Sequence, residues 1–127
     1  MSTSTPTPTP TTPAGDCLFC KIRDGGIPAT ITYSDERVVA FKDIGPKAPF
    51  HQLVIPREHV GTLAETDAAH EALLGHLMVT AAHLARQAGY GDKGFRVVMN
   101  SGVGAGQTVF HIHLHVLAGR SFGWPPG

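Results

Sequence analysis

Three histidines alternate with aliphatic residues in the segment His111-Ile-His-Leu-His-Val116. Side chains alternate between the two faces of a β-strand, so His111, His113 and His115 would share one face and the aliphatic residues the other. The apolar face predicts contact with a core, and the histidine face predicts a surface or a cleft. Two kinds of chemistry remain open, a metal site or a nucleophilic histidine that its neighbours orient. A solvated edge strand is a third interpretation, although strand surfaces favour threonine, lysine and glutamate over repeated histidine.

A glycine-rich loop, Gly102-Val-Gly-Ala-Gly-Gln-Thr108, directly precedes the histidines. Glycines let the backbone come close to a ligand, and the amides of a turn can form an anion-binding nest. Asn100 adds a neutral hydrogen-bond donor. Next to three histidines and the hydroxyl of Thr108, the loop predicts a phosphate pocket beside a nucleophile.

Two cysteines, Cys17 and Cys20, are separated by two residues. The first ten residues contain neither the basic start nor the apolar stretch of a secretory signal, so we expect a cytoplasmic location and no disulfide framework. A redox role and a metal-binding role both remain open for the pair. The pair alone supplies two of the four ligands of a zinc ion.

The length and charge of the chain exclude several classes of protein. Its 127 residues correspond to one domain. Ten Lys and Arg balance ten Asp and Glu, which argues against nucleic acid or a membrane surface as a partner. No apolar run approaches the length of a membrane span. Residues 1–14, rich in threonine and proline, are predicted to form a disordered tail, which leaves 15–127 as the domain.

Hydrophobic periodicity and turn residues predict two helices and five strands. A short helix is predicted over 17–23 with Asp16 as its N-cap, and a long helix of about 34 Å over 66–88. His70, His76 and His83 on the long helix are spaced too far apart for a compact site, so we expect them to be structural or solvated. Strands before and after one long helix predict an α+β fold with an antiparallel sheet and the helix on one face. The predicted strands are 31–33, 38–42, 52–55, 95–99 and 109–117.

The string Gly106-Gln-Thr-Val-Phe-His-Ile-His-Leu-His-Val-Leu117 resembles the signature of the histidine-triad (HIT) family. The segment His51-Gln-Leu-Val-Ile-Pro-Arg-Glu-His59 also matches that family, and the ending Trp124-Pro-Pro-Gly127 resembles its nucleotide-binding branch. The resemblance extends over 16–127. It implies a HIT-like fold that pairs into a homodimer through the fourth strand and the long helix, with Trp124 of one subunit near the active site of the other.

The resemblance also implies an activity. His113 would attack the α-phosphorus of a purine nucleotide and form a nucleotidyl-histidine intermediate. His115 would contact the phosphate and assist proton transfer, and Thr108 would lie near the leaving group where the family usually has serine. With His111 these residues form the implied catalytic set. The implied enzyme is a purine nucleoside phosphoramidate hydrolase that releases AMP. Alternatives are a dinucleoside polyphosphate hydrolase and a non-catalytic protein that binds nucleotides or zinc.

The same resemblance implies a nucleotide site. Asp43 would bind both ribose hydroxyls, and Asn100, Gly106 and Gln107 would surround the phosphate with Thr108. Apolar residues would form the base pocket, and a role in the plain core fits each of them equally well. These residues are Leu18, Phe19, Ile22, Ile27, Phe41, Ile44 and Leu53.

Some bacterial members of the family hold zinc with two cysteines and two histidines. Matching them residue by residue implies the ligands Cys17, Cys20, His59 and His111. Such a set is closed, so its zinc would be structural and would steady His113 next to His111. No organic cofactor is expected.

Overall fold

Five strands form one antiparallel sheet, and a helix lies on each of its faces. The computed structural model describes residues 16–127, and the tail predicted for 1–14 lies outside the described residues. The strand order is β1-β2-β3-β5-β4, so β5 lies between β3 and β4. Within residues 16–127, none of the helices is long and apolar enough to cross a membrane. The elements are α1 (Leu18–Arg23), β1 (Ile31–Ser34), β2 (Val38–Lys42), β3 (Phe50–Pro56), α2 (Glu71–Gln87), β4 (Phe95–Val98) and β5 (Leu114–Ala118).

The apolar side chains divide into two cores, one on each face of the sheet. Along β2, Val38 and Ala40 point toward α2, whereas Val39 and Phe41 point toward α1. This alternation is the two-residue period of a strand with both faces buried. The α2 core adds Leu77, Ala81, Ile112, Leu114 and Val116, and the α1 core adds Cys17, Phe19, Cys20, Ile22, Leu53 and Ile55.

The first helix begins one residue later than predicted. Cys17, not Asp16, is the N-cap, and its Sγ accepts a hydrogen bond from the backbone N–H of Cys20 at 3.4 Å. Asp16 is exposed, whereas Cys17 is fully buried. The cap therefore places the thiol beneath the helix instead of in solvent.

The long helix is shorter than predicted because a separate turn precedes it. The side chain of Asp67 accepts a hydrogen bond from Ala69 N at 2.9 Å, which starts the 3₁₀ turn Ala68–His70. The α-helix begins only at Glu71 and has 17 residues. Its length is about 26 Å instead of 34 Å.

The last strand begins at Leu114, so the prediction of a strand over 109–117 is wrong at its start. Ile112 N donates to the carbonyl of Val60 at 2.7 Å, outside the sheet. The alternation of faces persists nevertheless, because Ile112, Leu114 and Val116 all lie in the α2 core. The opposite side of this segment is not a solvated surface. His111 and His113 are buried beneath α1, which excludes the solvated edge strand.

One carboxylate attaches the turn between β1 and β2 to the long helix. Asp35 accepts hydrogen bonds of 2.8 Å from the backbone N–H groups of Arg37 and Val38 and from the hydroxyl of Tyr33. It also lies 2.7 Å from Nε2 of His76 on α2. His76 is therefore structural, as predicted. Burial disfavours the charged form of Asp35, but the hydrogen bonds outweigh this effect and hold its pKa below the ordinary 3.8.

Replacing Asp35 with alanine should lower the free energy of unfolding by about 2 kcal/mol, because four donors lose a charged acceptor. The matched control Glu36→Ala, at an exposed neighbour, should change it by less than about 0.5 kcal/mol. Urea unfolding at several pH values checks both. A group with a lowered folded pKa stabilises the fold above its unfolded pKa, so the difference between wild type and Asp35→Ala should shrink as the pH falls below 3.8. Equal effects of the two substitutions would contradict this assignment.

Candidate metal centre and catalytic cleft

Two cysteines and two histidines converge beneath α1. The ligand atoms of Cys17, Cys20, His59 and His111 all lie within 4.8 Å of one another. Nδ1 of His111 is 3.4 Å from Cys17 Sγ, and Nδ1 of His59 is 3.2 Å from both Cys20 Sγ and His111 Nδ1. Around a tetrahedral ion with metal–sulfur bonds of about 2.3 Å and metal–nitrogen bonds of about 2.0 Å, the donor atoms would be about 3.3–3.8 Å apart. The cluster therefore fits a metal ion, and its four residues are the ones that the family resemblance implied.

The surroundings of the cluster orient its donor atoms. Nε2 of His111 lies 2.8 Å from the carbonyl of Pro56. A carbonyl only accepts, so Nε2 carries the hydrogen and Nδ1 directs a lone pair at the cluster. Burial lowers the pKa of His111 to about 4 and raises that of Cys20 to about 11. The imidazole is thus neutral, and a thiolate at Cys20 needs a cation beside it.

The middle histidine of the triad has one free ring nitrogen. Nδ1 of His113 lies 2.8 Å from the carbonyl of His111 and must donate to it. Nε2 is then the nitrogen that holds the lone pair. Burial lowers the pKa of His113, against smaller opposing effects of this hydrogen bond and of Asp43, which keeps the ring neutral. The ring of Phe19 packs edge-on against it, with the centroids 4.9 Å apart.

The third histidine of the triad is oriented by a residue that the sequence did not identify as functional. The backbone N–H of Lys47 donates to Nδ1 of His51 at 3.0 Å, so the ring hydrogen of a neutral His51 lies on Nε2. That Nε2 lies 2.9 Å from Nδ1 of His115, which must accept. His115 therefore carries its hydrogen on Nε2. Burial, with the neighbouring His113 and His51, lowers the pKa of His115 to about 4.

The pairing of β3 with β5 is what places His51 next to the triad. Leu53 of β3 pairs with His115 of β5, and His51 pairs with Leu117, so His51 and His115 are diagonal neighbours on one face of the sheet. The two-residue period places His51 and Leu53 on the same face, but only the β3–β5 register brings that face to the triad. A sequence alone does not supply that register.

An apolar cavity of about 340 Å³ opens beside His113. All seven apolar residues predicted for the base pocket line it, together with Asp43, Thr108 and His115. Four of the seven, Phe19, Ile22, Phe41 and Leu53, also belong to the α1 core. Ile44, in contrast, is 98 % exposed.

A second cavity, of about 480 Å³, shares Asp43, Ile44 and His115 with the first. We call it the Lys47 cavity. Its other lining residues are Gly45, Lys47, His51, Val98, Asn100 and Leu117. Of the residues predicted to surround the phosphate, Asn100 lies here and Thr108 lies in the apolar cavity. One oxygen of Asp43 accepts the N–H of Gly45 at 2.8 Å, and the other lies 3.5 Å from Nε2 of His51.

The glycine loop is braced by Gln107, whose side chain is occupied by backbone groups. Its Oε1 accepts from Gly102 N at 2.8 Å, and its Nε2 donates to the carbonyls of Gly61 and Val109 at 2.8 and 3.0 Å. Gly106 ends the loop's 3₁₀ turn with φ of +91°, a conformation that favours glycine. Neither Gly106 nor Gln107 lines either cavity. The side chain of Gln107 therefore stabilises the loop through hydrogen bonds to backbone groups.

Comparisons with known proteins all give one family. The model of the HIT domain matches residues 24–122. An uncharacterized HIT-like protein of Synechococcus elongatus is 49% identical over 112 residues, which are 88% of this chain and 97% of that protein. The crystal structure of a HIT family hydrolase from Legionella pneumophila has 46% identity and a TM-score of 0.86, and covers 87% of this chain and 99% of that one. A histidine triad nucleotide-binding protein from Candida albicans has 30% identity and a TM-score of 0.73, with 86% of this chain and 82% of that one covered.

The geometry predicts the tautomers of two histidines. In nitrogen NMR of protein labelled at histidine, His113 should carry its hydrogen on Nδ1, because that nitrogen donates to the carbonyl of His111. His115 should carry its hydrogen on Nε2, because its Nδ1 accepts from the Nε2–H of His51. Spectra of His113→Gln and His115→Gln would assign the signals. An unprotonated Nδ1 in His113 would contradict the hydrogen bond to His111.

Proposed function

Because the chain belongs to the HIT domain family, we propose that it is a purine nucleoside phosphoramidate hydrolase of the histidine-triad nucleotide-binding branch, which forms a nucleotidyl-histidine intermediate and releases AMP. The observation that carries the proposal is the state of His113. Its Nδ1–H is bound to the carbonyl of His111, and the ring lines the apolar cavity with Nε2 free. A neutral imidazole with a free lone pair is a nucleophile at neutral pH.

The reaction takes two displacements at phosphorus. In the first, Nε2 of His113 forms a bond to the α-phosphorus while the phosphorus–nitrogen bond breaks, and the leaving nitrogen gains a proton from water and departs as an amine. In the second, a water oxygen bonds to phosphorus, the bond to Nε2 breaks, and the proton of the water returns to solvent. The Nε2–H of His115 hydrogen-bonds to the phosphate and helps to guide the proton. Splitting the hydrolysis makes each step easier.

The remaining site residues position the nucleotide. The apolar cavity receives the purine, and the carboxylate of Asp43 at its edge accepts hydrogen bonds from both ribose hydroxyls. Asn100 and the hydroxyl of Thr108 bind the phosphate, and Gly106 ends the turn of the loop that precedes Thr108. Gln107 acts through the shape of the loop, since its side chain is bound to backbone groups.

We propose that the ion of the four-residue cluster is zinc. Two thiolates and two imidazoles are the ligands of a closed structural zinc site, and the donor spacing supports this assignment. When bound, the ion supplies folding free energy and takes no part in the displacements. His111 would bind it through Nδ1, while the carbonyl of the same residue holds His113. The centre would therefore also steady the nucleophile.

We further propose a cytoplasmic homodimer. Both thiols are free, which suits a reducing compartment. Strand β4 pairs with β5 on one side and leaves its other edge available. Met78 and Val79 of α2 are exposed, and Trp124 is 85% exposed. A second copy that joins at β4 and α2 would cover these side chains, with Trp124 near the partner's active site.

Replacing His113 with alanine should lower hydrolysis of a fluorogenic adenosine phosphoramidate by at least about a thousandfold, because no other group takes over as nucleophile. AMP binding should stay within about tenfold, since most contacts come from other residues. The control His70→Ala removes a histidine outside both cavities and should leave both quantities unchanged. With a slowly hydrolysed substrate, mass spectrometry should detect an added adenylyl group, the mass of AMP less one water, on the wild type alone. A His113→Ala protein that retains more than a few per cent of the activity would refute the assignment.

Metal analysis should find about one zinc ion per chain, and Cys17→Ser should lower both the zinc content and the melting temperature, the latter by about 5 °C or more. Removing the ion from the wild type with a chelator should produce the same loss, and restoring zinc should reverse it. A metal-free wild type that melts at an unchanged temperature would exclude a structural zinc site.

Light scattering should report a dimer at micromolar concentration. Deleting residues 124–127 should change the relative rates on different leaving amines more than AMP binding or stability, because the tail would contact the partner's leaving group. Kinetics on three phosphoramidates with different amines check this expectation. A monomer, or unchanged relative rates, would contradict the proposed arrangement.

A further inference from the structure

We propose that the Lys47 cavity receives the leaving amine and that the Lys47 ammonium selects amines that carry a carboxylate. This inference rests on the proposed function, because it assigns the substrate class of the same site. Lys47 would be a specificity-determining residue, outside the bond-breaking steps.

The direction of the displacement indicates the Lys47 cavity. In phosphoryl transfer the attacking and leaving atoms lie roughly in line on opposite sides of phosphorus. His113 lines the apolar cavity, whereas His115 lines both cavities. A phosphate held between Nε2 of His113 and Nε2–H of His115, with its purine in the apolar cavity, therefore directs its leaving nitrogen past His115 into the Lys47 cavity.

The walls of this cavity suit a small amphipathic amine. Ile44, Val98 and Leu117 provide aliphatic surface, and Asn100 provides an amide. Ile44 is nearly fully exposed and lies where both cavities meet. An aliphatic group in the Lys47 cavity would cover it, which is favourable in water.

Lys47 is the cation among the lining residues, and its backbone is held on both sides. Its N–H donates to Nδ1 of His51 at 3.0 Å, and its carbonyl accepts from Nε of Arg120 at 2.8 Å. Within residues 16–127, no carboxylate forms a salt bridge with its ammonium. The backbone of Lys47 is thus fixed beside the cleft, and its exposed ammonium is available to an anion.

The carboxylate of Asp43 also faces the cavity, so an anionic group must lie on the Lys47 side. Gly45 lies between the two charged groups. A Cβ at Gly45 would lie 3.8 Å from Oδ1 of Asp43 and 4.0 Å from Nζ of Lys47. With Asp43 bound to ribose hydroxyls, the ammonium would attract a carboxylate on the leaving amine, as in an amino acid joined to phosphorus through its nitrogen.

Two matched substrates test this inference. In one, AMP is joined by a phosphorus–nitrogen bond to 3-aminopropanoate; in the other, to the neutral 3-aminopropanamide. The wild type should prefer the carboxylate in kcat/KM by about fivefold at low salt, the scale of an exposed ion pair, and the preference should shrink in high salt. Lys47→Gln should abolish the preference, because the ammonium is lost while the backbone contact to His51 remains.

Two further variants separate a local effect from net charge. Lys47→Arg should keep most of the preference. Lys93→Gln removes the same charge from the turn after α2, outside the Lys47 cavity, and should keep all of it. An equal preference in wild type and Lys47→Gln would overturn the inference, as would loss of preference in Lys93→Gln.

A third substrate, diadenosine tetraphosphate, distinguishes a phosphate leaving group from a carboxylate. If Lys47→Gln slows this substrate and leaves the carboxylate preference intact, the anion at Lys47 is a phosphate and our assignment is wrong. If the wild type hydrolyses the amide without preferring the carboxylate, the inference fails and the proposed function stands. If the wild type hydrolyses neither phosphoramidate, the proposed function fails with it.

Discussion

The hydrogen bond from Nδ1 of His113 to the carbonyl of His111 connects the two halves of the site. It fixes which ring nitrogen of His113 is free, and it depends on how the backbone of His111 is oriented. The side chain of the same residue lies between the Pro56 carbonyl and the cysteines. A change in the cluster would therefore reach His113, the proposed nucleophile, through two residues of backbone.

The surrounding structure must supply hydrogen-bond partners for the buried imidazole rings. An imidazole without partners in a core is unfavourable, and each ring here has a defined one. His111 and His113 donate to carbonyls, and His51 donates to His115. Within the described residues, no fully buried side-chain nitrogen or oxygen lacks a partner. The ring nitrogens without such a partner, Nδ1 of His111 and Nε2 of His113, face the four-residue cluster and the cleft.

Much of this arrangement was predictable, because it depends on local patterns. The period of two in the histidine segment placed its aliphatic side in a core, and the order of elements predicted the α+β fold. The similarity to a known family predicted the four-residue cluster, whose ligands lie up to 94 residues apart. The sequence did not predict what depends on long-range pairing. The position of His51 depends on the register between β3 and β5. The late start of β5 depends on the hydrogen bond from Ile112 to the carbonyl of Val60. The hydrogen bonds of the Gln107 side chain form only in the folded loop.

The strand order has a consequence for how the chain folds as it is synthesised. Strand β5 separates β3 from β4, yet it leaves the ribosome after both of them. Until it arrives, β1, β2 and β3 can pair, but β3 keeps an open edge and β4 has no neighbour in the sheet. Domains generally fold as units and long-range pairing is slow, so the edge of β3 stays exposed in the nascent chain until β5 has been synthesised. The segment that closes the sheet also carries the three histidines, so the cleft is completed in the same event that covers the open edge of β3.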